Sequence, residues 1–141
     1  MTFLDTNIFL RFLTRDDEKK ADACRELFRR LDVGEEQATT SESVIAEVVY
    51  VLSARTGAGY RLTPTDIAGR LKPLIGVDGL KLPHKRRYRR ALDVFAAHPF
   101  LDFEDALSVA HIEDQKLDDL TSYDADFDKV PGITRKEPSL P

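Results

Sequence analysis

The sequence predicts an α/β fold, a three-layer α/β/α sandwich with a mainly parallel central sheet. Short apolar runs alternate along the chain with longer segments in which apolar residues recur every three or four positions. Strands that alternate with helices in this way usually form parallel strand–helix–strand units. A chain of 141 residues can bury a core of its own. We therefore expect one domain over residues 1–141.

Two strands and two helices are predicted in the first forty or so residues. Residues 2–4 form a buried strand, and the polar residues 5–7 then begin a helix, because their side chains can accept hydrogen bonds from its first turn. A second helix begins at Asp16 or Asp17 and ends at Val33-Gly34, where glycine permits a left-handed C-cap. Residues 37–40 are predicted to form the second strand.

A capping motif predicts the third helix. Thr39 and Glu42 match the T-x-x-E capping box, in which each side chain accepts a backbone donor of the first turn. The helix is predicted to run to about Arg55, and the glycine-rich segment 57–59 ends it.

Three helices and two or three short strands are predicted in the second half of the chain. The helices cover residues 64–75, 83–97 and 102–116, the strands cover residues 80–82 and 119–123, and a short strand or coil follows Pro131. Pro64 and Pro83 fit the first turns of their helices, where a backbone donor has no partner within the helix.

Composition excludes several classes of protein. The single cysteine, Cys24, rules out an internal disulfide and favours a reduced, cytoplasmic setting. No basic segment followed by a long apolar run stands at the start, so we expect no signal peptide. The apolar runs are also too short to cross a membrane. A net charge of −4 argues against binding nucleic acid through the whole surface.

Four acids lie beside apolar segments, each in a short motif. They are Asp5 in F-L-D-T-N, Glu47 in S-V-I-A-E-V-V, Asp105 in D-F-E-D-A-L and Asp124 in S-Y-D-A-D-F. An ionised carboxylate beside apolar residues is costly unless it is paired, and the sequence offers no matching set of buried cations. Parallel sheets place ligands at the carboxyl ends of their strands, where Asp5 and Asp124 are predicted to lie. A divalent cation held by carboxylates indicates phosphate chemistry.

Each acid also has an ordinary structural explanation. Asp5 would serve as a helix cap and Asp124 as a turn residue, and Glu47 would extend from a partly buried helix face into solvent. Asp102 and Asp105 stand three residues apart, as an N-cap and the third helical residue do, so we assign capping to Asp102 and favour Asp105 as the ligand. If the acids had structural roles alone, all four of these explanations would have to be correct at once.

Two further features bear on partners. A basic segment supplies candidate RNA-binding residues, with a solvated helix face as the alternative: Lys85, Arg86, Arg87, Arg89 and Arg90. Large apolar residues are predicted to exceed what one side of a small sheet covers, which would leave an exposed face for a partner. They are Phe9, Phe12, Leu13, Leu27, Phe28 and Leu31 in the first two helices, with Val48, Val49 and Tyr50 in the third.

In its motifs the chain resembles the PIN-domain ribonucleases and, among them, the VapC-type toxins of toxin–antitoxin pairs. The resemblance covers essentially the whole chain. Its marks are a hydrophobic-D-T-N start, a helix-borne glutamate roughly forty residues later, D-A-L at the beginning of a later helix, and a strand that ends in [S/T]-x-D-x-x-F. Ser122 stands where such proteins often carry threonine, and it retains the hydroxyl.

The resemblance implies a site, a cofactor and partners. The metal-binding and catalytic acids would be Asp5, Glu47, Asp105 and Asp124. Supporting residues would be Thr6 and Ser122 through their hydroxyls, Asn7 as a brace, and Asp102 and Asp126 as nearby negative charge. The cofactor would be Mg²⁺ or Mn²⁺, the reaction endonucleolytic cleavage of RNA, and the partners a cognate antitoxin and a second copy of the chain.

Two alternatives from other functional classes remain open. An aspartyl-phosphate phosphatase or phosphoacceptor domain would use Asp5 as nucleophile, but such sites commonly have a second acid two residues later, where this chain has Asn7. A non-catalytic, metal-stabilised PIN-like module would act as an interaction domain in RNA processing. Metal-dependent turnover of RNA by the purified protein distinguishes the nuclease from that module.

Overall fold

The structure, a computed structural model, describes residues 1–141 and alternates short strands with helices. In chain order the elements are β1 (Thr2–Phe3), α1 (Thr6–Thr14), α2 (Glu18–Asp32), β2 (Ala38–Thr39), α3 (Glu42–Ser53), α4 (Pro64–Gly76), α5 (Lys85–Ala97), α6 (Phe103–Gln115), β3 (Leu120–Thr121), a 3₁₀ helix (Ala125–Lys129) and β4 (Arg135–Lys136). The predicted α/β class is confirmed, and every strand pairing is parallel.

The strands are shorter than predicted and form two pairs. β1 pairs with β2, and β3 pairs with β4. The strand predicted at residues 80–82 is reduced to one parallel bridge between Leu80 and Ala38. Pro83 follows closely and cannot donate a strand hydrogen bond, so the pairing does not extend.

Side-chain caps begin most of the helices, as the sequence predicts. Asp5 caps α1 and Asp17 caps α2, each by accepting from a backbone amide of the first turn. The predicted capping box at Thr39 is wrong: Ser41 caps α3, and its Oγ accepts from Val44 N at 3.3 Å. Because Thr39 belongs to β2, its backbone pairs with β1 and cannot lead directly into the helix.

Most of the large apolar residues of α1, α2 and α3 are buried. Phe9, Phe28 and Leu31 are at most 3% exposed, and the Phe12 ring packs edge-on against Phe28 with 5.1 Å between centroids. The predicted apolar surface on these helices is therefore wrong, since α1 packs against both α2 and α3 and each apolar face meets another helix. Tyr50 is the exception and is 72% exposed.

A second group of helices completes the core. α5 packs between α4 and α6, and Phe95 of α5 meets Phe103 of α6 edge-on at 5.9 Å. No helix in the chain combines the length and apolar character that crossing a membrane requires.

Candidate active site

The first group of site residues joins the end of β1 to α3. The carboxylate of Asp5 accepts a hydrogen bond from Thr6 N at 2.8 Å. Thr6 is buried, and its Oγ1 donates to Glu47 Oε2, also at 2.8 Å. Thr40 Oγ1 donates to the carbonyl of Leu4 at 2.8 Å, which fixes the end of β1 just before Asp5. The Thr6 hydroxyl therefore orients the exposed carboxylate of Glu47.

The second group lies at the beginning of α6. Asp105 N donates to Asp102 Oδ1 at 2.8 Å, which confirms the predicted capping role of Asp102. The Asp105 side chain is half-buried. Its burial, followed by the negative charges of Asp102, Asp124 and Asp126, raises the pKa of Asp105 to about 6. Asp124 therefore lies within electrostatic reach of Asp105 although it comes from another part of the chain.

A tight turn presents Asp124. Ser122 Oγ accepts from Asp124 N at 3.0 Å, and Asp124 Oδ1 accepts from Asp126 N at 2.9 Å. Asp124 thereby caps a 3₁₀ helix that the sequence analysis did not predict. Asp126 forms an ion pair with Lys129 at 3.1 Å, so its charge is partly neutralised.

The four candidate acids share one property: none forms an ion pair. Asp5, Glu47, Asp105 and Asp124 lack an ion-pair partner, as do some other acids such as Asp32 and Asp66, whereas Asp93, Asp114 and Asp128 are paired. No three acid, histidine or cysteine side chains come close enough together to hold a metal ion as they stand. α3, which carries Glu47, contacts both α1 and α6 and so links the two groups.

The side chain of Asn7, the predicted brace, is exposed at the start of α1. Its neighbour Thr6 makes the hydrogen bond that reaches across the site. In this structure the bracing contact therefore comes from the threonine of the D-T-N motif.

Two clefts lie along α3 and the start of α6, and none of the four candidate acids is among the residues that line them. A cleft of about 580 Å³ lies between α3 and α6 and includes Ser43, Glu104, Ser108 and His111 in its lining. A second cleft of about 400 Å³, which Tyr50 lines, also reaches Glu104. The sequence analysis missed Ser43 and Ser108. Helical spacing could have found them, because they stand four residues before Glu47 and three after Asp105.

In the basic segment, residues 85–90, some side chains form hydrogen bonds or ion pairs within the fold and others form no ion pair. Lys85 Nζ donates to the carbonyls of Val77 and Leu80, and burial lowers the pKa of Lys85. Arg87 pairs with Asp114 at 2.6 Å and Arg90 with Glu113 at 2.8 Å, which ties α5 to α6. Arg86 and Arg89 form no ion pair, and together with Lys72 they line a shallow polar cleft of about 220 Å³.

Comparison with known families identifies one match. The sequence profile of the PIN domain matches residues 2–133. The matched segment contains all four candidate acids as well as Thr6 and Ser122. No curated protein matches the chain significantly.

Proposed function

The chain belongs to the PIN domain family, whose members are generally nucleases that use divalent metal ions, and we propose that it is a metal-dependent endoribonuclease and the toxin of a toxin–antitoxin pair. The observation that carries the proposal is that acids from separate parts of the chain come together in two groups. Thr6 joins the Asp5 segment to Glu47, the charge of Asp124 acts on Asp105, and none of these four acids has an ion-pair partner.

The donor set fits a hard divalent cation. Asp5, Glu47, Asp105 and Asp124 would hold Mg²⁺ or Mn²⁺ through carboxylate oxygens, the ligands that these ions prefer. When bound, such a cation lowers the pKa of a bound water and neutralises charge that develops on phosphate. Burial contributes most to the raised pKa of Asp105, and the negative charges of Asp102, Asp124 and Asp126 add to it, so a bound cation would favour the ionised carboxylate.

Other residues of the chain hold the acids in position to bind a metal ion. Thr6 fixes the orientation of Glu47, and Ser122 holds the backbone of Asp124. Asp105 lies in the first turn of α6, where unpaired backbone amides and the helix dipole favour the ionised carboxylate. With a pKa of about 6, Asp105 is mostly ionised at neutral pH and is available as a ligand.

The proposed substrate and partners have different support. RNA would lie along the cleft between α3 and α6, and Arg86 and Arg89, which line a separate cleft between α4 and α5, would contribute phosphate contacts. The toxin role, a cognate antitoxin and a homodimer rest on the resemblance to VapC-type proteins. An arginine or lysine of the antitoxin would neutralise the carboxylates and silence cleavage. The strongly exposed Tyr50, which lines a cleft on α3, supports a self-association face there.

Cleavage of labelled RNA by purified protein, with and without Mg²⁺ or Mn²⁺, tests the proposal. We expect metal-dependent cleavage that falls roughly 10²–10³-fold in Asp5→Asn and Asp105→Asn, the scale for losing one preorganised electrostatic group. Asp32→Asn, which alters an exposed acid at the end of α2, is the matched control and should cleave like the wild type. Unchanged cleavage in the first two variants would refute the site. RNA binding without turnover would instead favour an interaction module.

A further inference from the structure

Arg135 lies on β4, two residues beyond the segment that matches the PIN domain profile. We propose that Arg135 is a positioning residue that fixes the loop carrying Asp124 and thereby the metal-binding geometry of that acid. This inference rests on the proposed nuclease function and extends it to a part of the chain that the family match does not cover.

The guanidinium of Arg135 binds both ends of the loop. Nη1 donates to the carbonyl of Ser122 at 2.9 Å. Nε and Nη2 donate to the two carboxylate oxygens of Asp128 at 2.9 and 3.1 Å. The second contact is the bidentate fork that arginine alone provides. Only 15% of the Arg135 side chain is exposed, whereas 54% of the Asp128 side chain is, so the hydrogen bond to the Ser122 carbonyl is better shielded from water than those to Asp128.

The segment between these two anchors contains both acids of the turn. Ser122 is held at each of its backbone groups by β4, because its amide also donates to the carbonyl of Lys136 at 2.9 Å. Its Oγ in turn accepts from Asp124 N. The hydrogen bond to Asp128 contributes most to the raised pKa of Arg135, and the charges of Asp128, Glu137 and Asp124 add to it, so the guanidinium lies within electrostatic reach of the candidate ligand Asp124. The contacts therefore lead from Arg135 to Asp124 through Ser122.

Few other contacts restrain this segment. Tyr123, Asp124 and Ala125 are exposed, and Phe127 is the first buried side chain after Ser122. β3 and β4 pair over only two residues each. Without Arg135, the start of the loop would depend on that short pairing, and the Asp124 carboxylate would sample more positions. A metal ligand held less precisely binds its ion more weakly.

The test compares Arg135→Gln and Arg135→Lys with the wild type. Three measurements are made: Mn²⁺ affinity by calorimetry without RNA, amide hydrogen exchange over residues 123–127, and kcat and KM for RNA cleavage. We expect Arg135→Gln to weaken Mn²⁺ binding by about tenfold or more, the usual effect of losing a residue that supports a metal ligand. Exchange over residues 123–127 should accelerate, and kcat should fall more than KM changes. Arg135→Lys should restore part of the Mn²⁺ affinity because it keeps the charge.

Arg29→Gln is the matched control. Arg29 also bonds two groups, Glu26 and Glu35, but it lies on α2 away from the acids in sequence. Its loss should leave Mn²⁺ affinity and the exchange of residues 123–127 unchanged. Equal Mn²⁺ affinities in wild type and Arg135→Gln would overturn the proposal, even if the melting temperature fell.

The remaining outcomes are also decisive. If Arg135→Gln does not fold, Arg135→Lys is decisive, because lysine keeps the charge but cannot bind the Ser122 carbonyl and both Asp128 oxygens at once; fully wild-type Mn²⁺ affinity and exchange in that variant would refute the positioning role. If the wild type fails to cleave RNA, the proposed nuclease function fails. The calorimetric and exchange measurements then still decide whether Arg135 positions the loop.

Discussion

Thr6 and Glu47 are joined by a hydrogen bond of 2.8 Å between Thr6 Oγ1, the donor, and Glu47 Oε2. The two residues stand 41 positions apart in the sequence. Thr6 is only 6% exposed, whereas Glu47 faces solvent, so a buried hydroxyl fixes a long side chain that would otherwise change rotamer freely. The D-T-N segment and the helix-borne glutamate thus form one structural unit.

Removing this hydroxyl should impair cleavage more than stability. Thr6→Val keeps the shape of the side chain but cannot donate to Glu47. We expect cleavage to fall about 10- to 100-fold, and the free energy of unfolding to fall by about 1 kcal/mol or less because water can replace the lost donor. Steady-state kinetics and thermal denaturation measure the two effects.

Two variants serve as controls for Thr6→Val. Thr6→Ser retains the hydroxyl and should retain most of the activity. Thr14→Val removes a hydroxyl at the other end of α1, which donates to the carbonyl of Leu10 and not to a candidate ligand, so it should affect stability more than cleavage. If Thr6→Val cleaves RNA as well as the wild type does, the hydrogen bond has no role in the reaction.

Asp105 should give the metal-free protein an unusual dependence of stability on pH. Its pKa rises from the ordinary 3.8 to about 6 on folding, so between these values the folded state binds more protons than the unfolded state. The contribution of Asp105 to stability is therefore favourable at low pH and is lost as pH rises through this window. An ion-paired aspartate has the opposite effect, because its contribution to stability is present at high pH and is lost as pH falls.

Thermal denaturation across this pH window, in the presence of a chelator, checks the prediction. Asp105→Asn should weaken the decline in stability and raise the melting temperature at neutral pH, because it removes the repelled charge. Asp32→Asn should keep the wild-type profile. An identical profile in wild type and Asp105→Asn would show that Asp105 does not titrate in this range.

The basic segment should separate into residues for binding and residues for stability. Arg86→Gln combined with Arg89→Gln should weaken RNA binding and reduce the slope of log affinity against log salt by roughly 1.4, as expected for two contacts to single-stranded RNA. Arg87→Gln should mainly lower the melting temperature, because Arg87 ties α5 to Asp114 of α6. Fluorescence anisotropy at several salt concentrations measures the binding.

A charge-matched control tests whether the position of the arginines matters. Lys19→Gln combined with Lys20→Gln removes two positive charges from α2 and should leave the salt slope nearly unchanged. If both double variants alter RNA binding equally, net charge and not the Arg86 and Arg89 surface governs affinity.

The protein alone should be a dimer, and Tyr50 should contribute to its interface. Tyr50→Lys places a charge at an exposed aromatic position beside the α3 cleft and should shift the protein towards monomer in light scattering at micromolar concentration. Tyr123→Lys is the matched control, because Tyr123 is 73% exposed, close to the 72% of Tyr50. A wild-type protein that is strictly monomeric would contradict the prediction.

Local sequence signals determined the α/β order and most of the helix bounds. The sequence predicted a helix that begins at Asp16 or Asp17, a cap at Asp102 and an early helical Pro64, because capping and proline geometry depend on atoms within a single turn. Thr39 shows the limit of such signals. Its motif is a valid capping box, but pairing with β1 takes its backbone into a strand and leaves Ser41 to cap α3.

Tertiary structure decided which residues have partners. The sequence identified the four acids, but only the fold connects Thr6 with Glu47 and sets Asp124 near Asp105. It likewise paired Arg87 with Asp114 and buried Phe9 against α2. Propensities and caps act over a few residues, whereas a carboxylate's neighbours come from elements far apart in the chain. Their packing therefore determines whether a given acid or arginine remains free to bind a metal ion or RNA.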